Sequence, residues 1–295
     1  EFMLHCDIRN NEKLFYYTTT GWMMWNWLVG GLATGSSIFL FDGAPTYPKI
    51  DVLLEYCQSK KINLFGVSAK YIDHLKNEKF NSKHLDLTSI KIITSTGSPL
   101  SEESFKYVYD NIKHDVHLAS IAGGTDMVGC LVLGNLYSNV YKGEIQGQSL
   151  AIDVDVFTDD GKSVKDGEKG ELVVKQPFPS MPVKFWGDKS GEKYHKAYFN
   201  RFKNIWHHGD FIERTSSNGF IMRGRSDATL NPGGVRIGTS EIYQQVEDID
   251  FITEGLVVGQ NYKDDVRIVL FVTTKKNIEL NDEKIKLIKI RIRKN

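Results

Sequence analysis

The chain has 295 residues, with 37 Lys and Arg against 37 Asp and Glu, 41% hydrophobic and 25% charged. At about 100 to 200 residues per domain this is roughly two domains with ample apolar material, which excludes a small stapled scaffold. The balanced charge provides no broad field for nucleic acid or an anionic membrane, and no apolar run approaches the roughly 20 residues that span a bilayer.

The chain opens Glu1-Phe2-Met3, without the basic region and cleavage site of a signal peptide, which reads as a tag remnant or an internal start. From Leu14 to about Ser120, β-rich runs alternate with helical stretches. Strands are expected over Leu14–Tyr17, Ser37–Phe41, Leu64–Val67, Ile90–Thr94 and Val116–Ile121, and helices over Met23–Thr34, Ile50–Lys60, Ala69–Glu78 and Ser101–Ile112. Such alternation predicts parallel strands with crossover helices, and ligands on such sheets sit at the carboxyl ends of the strands.

From about Gly143 the turns come closer together. Asp159-Asp160-Gly161, Asp166-Gly167 and Ser216-Ser217-Asn218-Gly219 separate β-rich runs such as Gly170–Lys175 and Phe220–Gly224, which predicts an antiparallel, barrel-like block. After Arg225 follow a Pro232-Gly233-Gly234 turn, a helix carrying Ile242, Val246 and Ile249, and strands Gly255–Gly259 and Val266–Thr273. The expected division is an α/β unit over 1–142, a barrel-like unit over 143–225 and a small α+β unit over 226–295. The tail from Asn281 reads as a capped helix whose basic residues lie among isoleucines. A solvated helix face accounts for it better than nucleic-acid binding, given the balanced charge.

Cys6, Cys57 and Cys130 lie far apart, so neither a disulfide framework nor a paired-cysteine zinc site is expected, and a reducing cytoplasm fits. Four segments carry candidate chemistry. Ile93 to Leu100 is a strand ending in hydroxyls and glycine before a helix, and a turn free of bulk lets a flat or anionic ligand reach the backbone. Simple punctuation by Gly and Pro is the alternative. Ser120 to Met127 also follows a strand. There Gly123 and Gly124 remove bulk, Thr125 offers a hydroxyl to a phosphate, and Asp126 offers a hard oxygen to magnesium. A Gly-Gly turn with an Asx-type side chain accounts for that segment equally well.

Trp206 to Asp210 contains two adjacent histidines and a carboxylate. In an extended segment neighbours point to opposite faces, which sets a shared zinc aside and leaves Asp210 as an acceptor for sugar hydroxyls. Gly224 to Asp227, followed by Asn231 to Glu241, brings Arg225 and Arg236, both phosphate-binding types, beside flexible glycines in the position of a hinge.

In this order and spacing the four segments resemble the adenylate-forming superfamily of acyl-CoA synthetases, luciferases and peptide-synthetase adenylation domains. Tyr16 to Trp27 resembles the corresponding segment of the acetoacetate-CoA ligases within it. The resemblance implies an adenylate-forming enzyme fold, present in part, with ATP, magnesium and CoA used on acetoacetate. It matches Gly97, Ser98 and Pro99 to the adenine-side turn, Thr125 with Gly124 to the α-phosphate contact, and Asp126 to the magnesium-side acid. Asp210 matches the ribose-binding carboxylate, Arg225 the ribose and phosphate arginine, Asp227 the hinge, and Gly234 and Arg236 the loop for thioester formation. Trp22 belongs to the segment typical of acetoacetate-CoA ligases. Gly123 stands where acetyl-CoA synthetases have a tryptophan, so it is expected to open the acyl pocket.

Two features of the family pattern have no counterpart here, the upstream phosphate loop and the lysine near the end of the small domain. The resemblance therefore implies an internal piece of such a ligase with little or no activity alone. Three further readings are a split enzyme completed by a complementary polypeptide that carries those parts, a non-catalytic remnant, and a ligase for another short acid.

Overall fold

The protein is described by a computed structural model over residues 1–230, 232, 236–247, 249–262 and 265–294. The first layer is a parallel sheet of β1 (Lys13–Tyr16), β2 (Ser37–Phe39), β3 (Leu64–Ser68), β4 (Ile92–Thr96) and β5 (His117–Ser120). Their order in space is β2-β1-β3-β4-β5. The direction of winding reverses between β1 and β3, and the crevice at such a reversal is where open α/β sheets take ligands.

Helices cover both faces of this sheet because its strands are apolar on both sides. Phe15, Phe65, Ile93 and Leu118 join the core under α3 (Val52–Lys60), α4 (Ala69–Asn77) and α5 (Glu102–Tyr107). Their alternates Leu14, Leu64, Ile92 and Ala119 join the opposite core, with α1 (Phe2–His5) and α2 (Met23–Gly30). Helices α4 and α5 start at hydroxyl caps: Ser68 accepts from Tyr71 N at 3.2 Å, and Ser101 from Ser104 N at 3.2 Å.

Strand β4 begins two residues later than the expected Ile90, because the Ile90 N–H closes a turn onto Leu87 O at 3.0 Å. The hydroxyl run is thereby drawn into the sheet. Thr94 and Ser95 are fully buried, and only Thr96 reaches across, donating to Ile121 O at 2.7 Å.

Antiparallel pairing starts at β6 (Ala122–Gly124), which pairs with β7 (Gly129–Leu133), itself paired with β8 (Gly147–Gln148). Gly123 and Gly124 are thus strand residues rather than a turn, and the turn is Thr125 to Val128. Strand β7 serves two cores: Cys130 and Leu133 pack under the parallel sheet, while Leu131 and Val132 pack into the barrel-like block. That block is the antiparallel sheet β12-β11-β10-β9, made of β9 (Val154–Phe157), β10 (Lys169–Val174), β11 (Trp206–Arg214) and β12 (Phe220–Arg225), with α6 (Glu192–Tyr198) before β11. The last unit holds α7 (Thr239–Val246), the hairpin β13 (Ile252–Tyr262) and β14 (Asp265–Thr274), and α8 (Asp282–Lys294). Asn281 Oδ1 caps the Lys284 amide at 3.1 Å, as expected of the tail. No helix of the described residues is long and apolar enough to cross a membrane.

Gly66 lies in the middle of β3, and a Cβ there would stand 1.9 Å from the Tyr16 ring. Gly66→Ala should therefore overpack the sheet and lower stability by about 1 to 3 kcal/mol. Urea unfolding reads this directly, and an unchanged midpoint would contradict so close an approach.

Candidate nucleotide site

Strand β11 places His207 and His208 on opposite faces, as its extended backbone requires. His207 Nε2 bonds Glu171 Oε2 at 2.8 Å on one side. On the other, Trp206 Nε1 donates to His208 Nδ1 at 3.3 Å, and His208 Nε2 meets Gly123 O at 3.1 Å. An indole N–H can only donate and a carbonyl can only accept, so His208 is the neutral tautomer with its proton on Nε2. Burial pushes this imidazole below its ordinary 6.5, outweighing the nearby Asp210 carboxylate that favours the charged form. Gly124 has to be small for this ring, because a Cβ there would lie 2.6 Å from His208 Cε1.

A cavity of about 630 Å³ opens between the β6–β7 turn, α6 and the β11–β12 pair. Gly123, Gly124, Thr125 and Asp126 line one wall, Tyr198 and Arg201 a second, and His207 to Gly209 with Arg225 to Asp227 a third. Asp210 and Arg225 are cross-strand partners, and Arg225 Nη1 donates to Asp210 Oδ1 at 3.0 Å. Gly209, at φ +82°, makes this possible, since a Cβ would stand 2.7 Å from Arg225 Nη2. Tyr198 stacks on Trp206 with centroids 3.6 Å apart, and its hydroxyl donates to Asp126 Oδ2.

Glu171 of β10 lies beneath this cavity with no side-chain exposure. Burial alone would raise its carboxyl, but hydrogen bonds from His207, Ser226 and Arg236 and the charge of Arg201 prevail and hold it at about 2.

The structure thus brings Gly123, Gly124, Thr125, Asp126, Arg225 and Asp227 to one cavity, with Asp210 behind Arg225. Gly97, at φ +90°, is not among the residues lining it. It lies at the carboxyl end of β4, where a Cβ would meet the Trp22 ring at 3.6 Å and Ser68 Cβ at 4.0 Å; Ser98 and Pro99 follow it there. Gly123 does not simply vacate space in a pocket. A Cβ on it would stand 2.0 Å from Gly129 O of β7, so a larger residue needs a moved backbone. Arg236 is held away on Glu171 and Asp159. Gly234 lies outside the described residues.

Among the described residues no three His, Cys, Asp or Glu side chains form a metal cluster. Magnesium bound through one carboxylate, water and substrate phosphates needs no such cluster, and Asp126 fits that role. It sits on an exposed turn at the cavity, and its Oδ1 takes no protein donor among the described residues.

The profile of the AMP-binding enzymes matches residues 5–181. The chain belongs to this family. An acetoacetyl-coenzyme A synthetase of Rhizobium meliloti (strain 1021) is 55% identical over 99% of the chain, which covers 45% of that protein. The acetoacetyl-CoA synthetase of Gallus gallus is 45% identical over 99% of the chain, covering 44% of its own length. Among solved structures, an acetoacetyl-CoA synthetase from Streptomyces lividans superposes with TM-score 0.91 at 38% identity, over 99% of this chain and 45% of the other. A benzoate CoA ligase from Burkholderia xenovorans LB400 shares the fold at TM-score 0.81 and 19% identity, over 100% of this chain and 57% of the other. The chain therefore spans under half the length of the synthetases it resembles, and its α/β fold is that of the AMP-binding family.

Tyr198, Arg201 and Glu171 were not singled out from the sequence of this family member, and His208 was weighed only as a metal ligand and set aside. One signal was present for Glu171, a lone acid within the apolar run Gly170–Lys175. Tyr198 and Arg201 lie in a segment without periodicity and enter the site only through tertiary packing.

Because His208 has a lowered value in the folded state, the unfolded chain binds that proton more readily. Its contribution to stability is present above about pH 6.5 and is lost as pH falls below it. His5 and His117 are lowered by burial too and share this direction. His208→Asn should flatten the stability slope between pH 6.5 and 5.5 by up to about 1.4 kcal/mol per pH unit. Urea titrations across that window check it, and an unaltered slope would remove His208 from the account.

Proposed function

We propose that this chain is part of an AMP-forming acetoacetate-CoA ligase working in the cytoplasm. The reaction joins acetoacetate, ATP and CoA into acetoacetyl-CoA, AMP and pyrophosphate. The observation that carries the reading is the meeting of Thr125, Asp126 and Arg225 around one cavity, in a chain 55% identical to an acetoacetyl-coenzyme A synthetase.

In the proposed first step a carboxylate oxygen of acetoacetate bonds to the α-phosphorus of ATP, and the bond to the bridging oxygen breaks as pyrophosphate leaves. Arg225 and the Thr125 hydroxyl face the charge that develops on the α-phosphate. Asp210, held by Arg225, accepts from ribose hydroxyls, and the turn at Gly97, Ser98 and Pro99 flanks the adenine. Asp126 would hold magnesium, which when bound screens the phosphate charge. In the second step the CoA sulfur bonds to the acyl carbon, the thiol proton departs, and AMP leaves. Arg236 and Gly234 serve this step after the 226–295 unit turns about Asp227. Trp22 and Gly123 belong to the acyl side. The division at 142 and 225 is part of the same proposal.

Asp210→Asn and Arg225→Gln should each weaken AMP binding about 10- to 100-fold, as expected for loss of a hydrogen bond to a charged group. Isothermal titration of the chain with AMP measures this, and no binding by the parent chain would overturn the nucleotide reading. The acyl group is tested in the full-length ligase by acid-dependent ATP–pyrophosphate exchange. Acetoacetate should outpace acetate, and the reverse order would reassign the substrate.

A further inference from the structure

The 226–295 unit carries its own apolar cores. Val246, Ile249, Ile252 and Ile288 form one, and Leu230, Ile242 and Val257 another, with no member before Leu230 among the described residues. Beside the chain junction, where Ser226 bonds Glu171 and Asp227 and Thr229 bond Arg225, its bonds to the four-stranded sheet are polar too: Lys169 to Glu241, Ser240 Oγ to Met222 O at 3.3 Å, and the ion pairs of Arg236. Non-directional burial does not dictate where such a unit sits, so charge geometry has to.

Arg236 and Arg201 each bridge the same two acids. Arg236 Nη2 is 2.6 Å from Glu171 Oε1 and Nη1 is 2.8 Å from Asp159 Oδ1. Arg201 Nη1 is 3.1 Å from Glu171 Oε1 and Nη2 is 2.7 Å from Asp159 Oδ1. The Arg236 guanidinium also lies 4.3 Å from the Phe211 ring centroid. Asp159 is two-thirds exposed and contributes a screened, weak interaction, so the buried Glu171 dominates.

We infer that Glu171 is the positioning residue that seats the 226–295 unit on the β10–β11 surface by holding Arg236 there. The arrangement is releasable. If Arg236 leaves, Glu171 keeps Arg201 and His207, so no bare carboxylate is left buried and the penalty that makes most buried pairs hard to break is avoided. Arg236 is thereby kept off the cavity in this arrangement and becomes available when the unit turns. That last consequence rests on the ligase reading, whereas the seating does not.

The test places spin labels on Lys165→Cys of the β9–β10 loop and Lys276→Cys of the small unit, both exposed, in the whole chain, whose own cysteines are buried. Pulsed electron resonance then gives the distance distribution without nucleotide, so a failure of AMP binding has no bearing on the result. The parent should show one narrow distance, and Arg236→Gln and Glu171→Gln should each shift or broaden it. Arg236→Lys, which restores one ionic contact, should recover part of the narrow peak. If Glu171→Gln does not fold, Arg236→Gln decides alone, because it leaves Glu171 with Arg201 and His207. A folded Arg236→Gln chain with the parent distribution overturns the inference.

Discussion

A carboxylate with no solvent exposure has to be surrounded by donors, and Glu171 is such a group. Its requirement reaches several of the segments around the cavity. It orients His207 on β11, draws Ser226 at the start of the small unit, and gathers Arg201 and Arg236 from segments 30 and 65 residues further along the chain. Much of the floor of the candidate nucleotide site is the solvation shell of one buried acid.

The other side of the strand obeys the same logic with neutral groups. Because neighbours in β11 alternate, His208 faces away from Glu171 and is dry, so it stays uncharged and spends both nitrogens on fixed partners. Through Gly123 it ties β11 to the β6–β7 turn. Tyr198, stacked on Trp206, ties the same strand to Asp126. The exposed turn carrying Thr125 and Asp126 is therefore held at its start by side chains rooted in the barrel-like block. A ligand site on a loop needs such anchoring if its donors are to be in place before the ligand arrives.

The parallel sheet was legible in the sequence because both of its faces are buried, which makes short apolar runs, and because turns separate those runs from the helical stretches. The expected elements from Leu14 to Ile112 all form, and β4 is displaced only because Ile90 belongs to a turn that resembles a strand in composition. The opposite faces of His207 and His208 were legible too, since alternation is a local property. Gly123 and Gly124 were not legible as strand, because paired glycines ordinarily mark turns. They lie in β6 because any side chain would strike β7 or the His208 ring.

By itself the sequence determined the α/β class through local periodicity and the family through the order of its motifs, and it picked out Gly123 to Asp126, Arg225 and Asp227, which line the cavity, alongside Gly97, Ser98 and Pro99, which do not. Only the tertiary structure decided that Tyr198, Arg201 and Glu171 belong to that site and that Arg236 is tied to the barrel-like block instead. A buried charge selects its partners by distance in space, and nothing in the spacing along the chain encodes that distance.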